Sequence, residues 1–212
     1  MEIIGSLRLI DALKHCLNCW TLMASPMIPV IPLSLSSETQ RLFFALWPQM
    51  ETSLKLYELA GKLLRSDGRR VTPENIHLTL TFLGSVTPSF GRCAEQVSSA
   101  IRGESFTMTL GEIGCWSRSG ILWAGPTHVP KALLQLVQAL TAGLITCGYA
   151  PEKRPYTGHL TLARKVRRCQ EKQPIEPLTW DVRQFCLVQS QTYAEGVRYE
   201  ILHTWELSPP AA

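Results

Sequence analysis

The sequence predicts an α+β fold whose sheets are largely antiparallel. Three observations carry that expectation: short apolar runs of strand length, three apolar stripes at helical spacing, and several strand-like runs that follow one another directly. A chain of 212 residues suits one large domain or two small lobes. It is 45% hydrophobic and 18% charged, so it can bury a core, and disordered, collagen-like and coiled-coil chains are excluded.

The elements follow in order. Arg41-Leu-Phe-Phe-Ala-Leu-Trp47 is an apolar, aromatic-rich run stopped by Pro48, which predicts a buried strand. Leu56, Leu59 and Leu63 recur at helical spacing, as do Phe90, Cys93, Val97 and Ile101, so each set predicts an amphipathic helix. Phe106–Leu110 and Gly120–Ala124 read as strands. The longest helix is expected over Pro130–Cys147: Pro130 suits a first turn, Leu133, Val137, Leu140 and Leu144 form the stripe, and Gly148 suits the stop. Trp180–Ser190 and Val197–Leu207 predict two more strands.

The first forty residues differ from the rest. No charged residue occurs from His15 to Ser37, but Pro26, Pro29 and Pro32 argue against a spanning helix. Glu2, Arg8, Asp11 and Lys14 are a poor n-region for a signal peptide. Residues 1–39 are therefore expected to be a poorly ordered or mis-started extension, with Met23 and Met27 as candidate starts and the domain spanning 40–212. The seven cysteines are scattered, and only Cys16 and Cys19 have C-x-x-C spacing, with no second pair to complete a zinc site. Reduced thiols in a cytoplasmic protein are the expectation. A formal charge of +4 fits RNA or another anionic substrate but carries little weight alone.

One tetrapeptide occurs twice, as His77-Leu-Thr-Leu80 and His159-Leu-Thr-Leu162, each after a loop-like segment and each running on as an apolar strand. An internal duplication explains this most simply. Alternate side chains of a strand share a face, so each His stands beside its Thr while the leucines point into a core. Two such strands across a cleft would offer two imidazoles and two hydroxyls around one point. A neutral imidazole takes a proton, a charged one gives it, and hydroxyls donate to phosphate oxygens, so the set suits transfer at phosphorus without metal or covalent nucleophile. A single strand His is more often structural, and His15, His128 and His203, which lack a companion motif, are read that way.

With both motifs in view, the chain resembles the two-histidine phosphoesterases, and among them the RNA 2′,3′-cyclic phosphodiesterases, also called bacterial 2′-5′ RNA ligases. Arg41–Pro48, Glu74–Gly84 and Arg154–Arg164 carry the match, which spans roughly residues 40–207; Gly158, where proline is common, is a departure. The resemblance implies His77 as proton donor, His159 as proton acceptor, and Thr79 and Thr161 as phosphate ligands. It places Phe82 near a base or ribose and Arg164 near phosphate, each five residues after its His. It further implies two lobes related by a pseudo-twofold, each an antiparallel sheet with helices outside, flanking a central cleft.

The expected activity is therefore metal-independent hydrolysis of RNA 2′,3′-cyclic ends to 2′-phosphates by a monomer with no cofactor and no membrane. The alternatives are 2′-5′ ligation by the reverse reaction, a small cyclic-nucleotide or oligoadenylate phosphodiesterase, and a non-catalytic RNA-binding module. Cations flank the motifs: Arg69 and Arg70, then Lys153 and Arg154, then Arg164, Lys165, Arg167 and Arg168. On the rim of a cleft they would track a phosphate backbone.

Overall fold

The computed structural model describes residues 39–64, 67–194 and 196–210. The extension expected over residues 1–39 lies, apart from Thr39, outside the described residues, and so do His15, Cys16 and Cys19. Nine strands and three α-helices are described: β1 (Gln40–Leu46), α1 (Met50–Leu64), β2 (Arg69–Arg70), β3 (Leu78–Val86), α2 (Pro88–Ser99), β4 (Phe106–Trp116), β5 (Ile121–Pro126), α3 (Lys131–Thr146), β6 (Leu160–Arg164), β7 (Gln173–Val182), β8 (Gln184–Tyr193) and β9 (Gly196–Glu206). They hydrogen-bond in the order β7-β4-β5-β6-β3-β1-β8-β9, with β2 beside β6, and every strand pairing is antiparallel. The expected α+β, antiparallel class holds. The path is one continuous sheet rather than two separate ones, because β3 and β6 join its halves at one residue pair, Leu78 with Leu160.

Period-2 alternation places the core. On β1, Leu42, Phe44 and Leu46 enter the main core with Leu56, Leu78, Leu133 and Leu140. Phe43 and Ala45 face the other way, into a small cluster with Cys186 and Val188 that Trp47 and Tyr199 flank. Thr87 caps α2 by accepting from the Phe90 N–H, and Pro88 opens the helix. The helix ends at Ser99, short of Ile101. Pro130 sits at the cap of α3, and Gly148, at φ 92, takes the left-handed position after it.

Two expectations need correction. Trp180–Ser190 is not one strand: the chain breaks at Arg183 and passes from edge strand β7 to β8 in the other half of the sheet. Pro174 and Pro177 hide the first part of β7 from propensity, and an edge tolerates them because one side of its ladder is unpaired. The thiols are not free either: disulfides join Cys93 to Cys147 and Cys115 to Cys169, leaving Cys186 buried and free among the described cysteines. The spacing of these residues conceals a pairing made by packing, since α2 lies against α3 and β4 against the segment after β6. The cytoplasmic expectation rested on reduced thiols and loses that support. Among the described residues no helix is long and apolar enough to cross a membrane.

Urea unfolding with and without dithiothreitol reads the disulfides. Their cysteines are 54 residues apart in both cases, and closing a loop of that size is worth about 4 kcal/mol in the chain-entropy model. Cys93→Ser is expected to lower stability by up to about 4 kcal/mol. Stability that neither reductant nor this substitution moves would return the chain to free thiols.

Candidate active site

The motifs meet where the sheet's halves join. Leu78 and Leu160 are the register pair of β3 and β6, and each follows a motif histidine. Antiparallel register carried one step to either side sets His77 across from Thr161 and Thr79 across from His159. The imidazoles are close enough for charge on His159 to disfavour protonation of His77, and Arg164 acts on both in the same sense. The structure thus brings together His77, Thr79, His159, Thr161 and Arg164.

Both histidines are held alike. Nδ1 of His77 bonds the carbonyl oxygen of Asn75 at 2.8 Å, and Nδ1 of His159 bonds that of Thr157 at 2.9 Å. A carbonyl only accepts, so each Nδ1 carries the hydrogen and each Nε2 is left for the cleft. The surroundings are aromatic. Trp47 stacks on His77 at 4.8 Å, Phe43 and Tyr199 close in at 5.0 Å, and the Trp47 indole N–H is anchored to the Glu74 carbonyl at 3.0 Å. Trp116 meets His159 edge-on at 4.5 Å. Burial pushes the His77 pKa down to about 4, with the Asn75 carbonyl opposing and Arg164 and His159 adding to the fall. His159 is lowered by burial too, against the pull of the Thr157 carbonyl.

Beside His159 and Thr79 opens a cavity of about 1020 Å³ lined also by Phe82, Trp116, Arg118 and Tyr156. Phe82 is 42% exposed there, with the Arg41 guanidinium 4.8 Å above its ring. His77, Thr161 and Arg164 do not line this cavity. Sequence reading missed Trp47, Trp116, Arg118, Tyr156 and Tyr199. Tyr156 stands three residues before His159, and its hydroxyl donates to the Thr79 carbonyl at 3.1 Å, so the loop entering one motif is tied to the other. Burial raises the Tyr156 pKa, which keeps that hydroxyl a donor. Nδ1 of His203 lies 3.1 Å from a carboxylate oxygen of Glu95, away from the motifs. Among the described residues no group of three His, Cys, Asp or Glu side chains is arranged to hold a metal ion.

Comparison with known proteins identifies the family. The family model described as the 2′-5′ RNA ligase superfamily matches residues 52–194. The chain belongs to that superfamily. Its relatives include the RNA 2′,3′-cyclic phosphodiesterase of Escherichia coli K12, 33% identical, covering 81% of this chain and 99% of that protein. Another is the RNA 2′,3′-cyclic phosphodiesterase of Thermotoga maritima, 27% identical, covering 77% of this chain and 93% of its own length. The crystal structure of E. coli LigT complexed with 3′-AMP superposes with a TM-score of 0.75 at 32% identity, covering 80% of this chain and 99% of LigT. The fold, a mostly antiparallel sheet with three helices, is that of this superfamily member.

Tyr156→Phe removes the Thr79 tie and little else. Loss of one hydrogen bond is expected to cost about 1 kcal/mol in urea unfolding. Because the same bond holds the two motifs in mutual position, kcat is expected to fall by more than that stability loss explains. An unchanged kcat would mean the backbone pair alone aligns the motifs.

Proposed function

We propose that this chain is an RNA 2′,3′-cyclic phosphodiesterase, an enzyme that opens the cyclic phosphate at an RNA 3′ end to leave a 2′-phosphate. The observation that carries the reading is the matched tethering of two motif histidines, each with Nδ1–H committed to a carbonyl and Nε2 available. His159 takes a proton from water as its oxygen attacks phosphorus; the P–O3′ bond breaks, and His77 protonates the departing 3′ oxygen. Thr79 and Thr161 donate to the non-bridging oxygens, and Arg164 offsets their charge. Phe82, on the cavity wall, meets the base or ribose. No metal is required, since two imidazoles move both protons and the hydroxyls and guanidinium hold the anion. The names of the relatives and the 3′-AMP complex of E. coli LigT support a nucleotide substrate.

An approximate twofold completes the picture. From the central junction the strand order reads outward as β6-β5-β4-β7 on one side and β3-β1-β8-β9 on the other, four strands each with a motif innermost. This supports an ancestral duplication with one catalytic histidine from each half.

Incubation with an oligonucleotide ending in a 2′,3′-cyclic phosphate, with the product read by phosphorus NMR, tests the reaction. A 2′-phosphate is expected, undiminished after exhaustive EDTA treatment. Replacement of either His77 or His159 by Ala should cost about 10²- to 10⁴-fold in rate, the usual worth of one positioned acid or base. A variant that keeps full rate would remove that histidine from proton transfer.

The pH profile carries a further expectation. With both imidazoles lowered in the free enzyme, kcat/KM should be greatest on the acid side of the usual histidine range. A bound phosphodiester anion favours the imidazolium, so the acid's pKa rises in the complex and the basic limb of the kcat profile moves upward. Coincident basic limbs for kcat and kcat/KM would argue against an imidazolium as the acid.

A further inference from the structure

The segment after the second motif is fixed far more firmly than an exposed loop needs. Asp67 accepts two backbone N–H donors through one carboxylate oxygen, from Arg167 at 2.9 Å and Arg168 at 2.7 Å. The Val166 N–H donates to the Gly120 carbonyl at 3.0 Å. Cys169 is bonded to Cys115, the neighbour of Trp116 beside His159. Lys165 is held at φ 59, a conformation that a non-glycine residue keeps only where its surroundings dictate it. Side chains at Gly68 and Gly120 would collide with this segment, the first with Val166 Cγ2 at 2.9 Å and the second with the Val166 carbonyl at 2.8 Å.

The fixed loop displays charge. Arg164, Lys165, Arg167 and Arg168 are exposed, and Arg118, two residues before Gly120, lines the cavity that holds His159. Among the described residues no ion pair engages these five cations. Arg70 and Lys172, by contrast, are occupied: Arg70 lies over the Tyr57 ring at 4.0 Å, and Lys172 pairs with Glu112 at 2.7 Å. Clustering like charges on a rigid loop is unfavourable without an anion to receive them.

We propose that residues 165–169, clamped by Asp67, form a platform for the phosphates of the RNA strand on the 5′ side of the reacting end. This rests on the phosphodiesterase reading and adds to it a substrate class, oligonucleotides over cyclic mononucleotides. A 2′,3′-cyclic phosphate terminates the strand, so the remaining phosphates leave the site in one direction. Arg118 lines the cavity, and the Val166 bond to Gly120, two residues on, brings the Arg167–Arg168 turn to the same strand end. Asp67 is a positioning residue: it points the loop and touches no substrate.

The test is binding, independent of turnover. A fluorescein-labelled RNA hexamer ending in a 3′-phosphate is titrated by anisotropy across a salt series, with 3′-AMP as competitor. The hexamer should bind more tightly than 3′-AMP. Arg167→Gln with Arg168→Gln should flatten the slope of log Kd against log salt by about 1.4, two phosphates at about 0.7 each on a single strand. Asp67→Ala should weaken the hexamer several-fold and leave 3′-AMP binding as it was, and Asp67→Asn, which retains an acceptor oxygen, should restore most of the loss. Equal affinity for the two ligands, or a salt slope indifferent to the double substitution, overturns the platform. Hydrolysis of an RNA hexamer ending in a 2′,3′-cyclic phosphate is scored on the same preparations. Its absence overturns the proposed reaction, while the binding data alone decide the platform.

Discussion

One backbone pairing holds the site together. Leu78 and Leu160 are the residues through which β3 and β6 keep register, and the two halves of the sheet meet there. Both leucines are completely buried, so the pair is fixed from the core side, while the residues before and after each one face the opposite surface. A His-x-Thr motif centred on each leucine then delivers two imidazoles and two hydroxyls to one place. A slip of one residue in either strand would turn that strand's His and Thr toward the core. The chemistry of this enzyme depends on a register that the burial of two leucines protects.

Building that register among aromatic rings has an electrostatic result. Trp47, Phe43 and Tyr199 exclude water from His77, and the imidazole is driven toward its neutral form. The same rings keep it from turning, since Trp47 is itself anchored to the Glu74 carbonyl. Orientation and basicity are therefore set by one set of contacts. A neutral, oriented imidazole is poorly placed to give a proton until an anion arrives, and the substrate is that anion. In the proposed mechanism phosphate binding and formation of the acid are then coupled, with Arg164 limiting how far the imidazolium is favoured.

Much of this was legible in the sequence because it is local. The doubled His-Leu-Thr-Leu, read with period-2 alternation, predicted which side chains share a face, and the apolar stripes placed all three helices. Phe82, which the resemblance placed in the cleft, lines the cavity beside His159. The remainder depends on residues that approach only after folding. Trp116 and Tyr199 come to the histidines from β4 and β9, and no periodicity links them to either motif. The disulfides Cys93–Cys147 and Cys115–Cys169 were read as loose thiols because spacing cannot reveal which elements lie side by side. Nothing in the sequence singles out Asp67, whose carboxylate meets the Arg167 and Arg168 backbone only after folding. Strand β7 was obscured by Pro174 and Pro177, whose acceptability depends on its position at the edge.

A single register pair is a narrow join for chemistry that demands placement within about 0.5 Å. Additional ties cross between the motifs, and they leave from the segments that introduce each one. Tyr156, before the second motif, bonds the Thr79 carbonyl of the first. Val71, before the first motif, donates its N–H to the Leu162 carbonyl of the second at 2.8 Å, continuing the β2–β6 pairing of Arg69 with Arg164. Each lead-in segment is thus fastened to the strand that carries the other motif. Neither histidine can move relative to its own lead-in, because Asn75 and Thr157 hold the imidazoles from two residues upstream. The ties close a loop in which motif one positions the approach to motif two, and motif two the approach to motif one. The placement of the two motifs then comes from mutual restraint between the strands that carry them, which neither strand could provide alone.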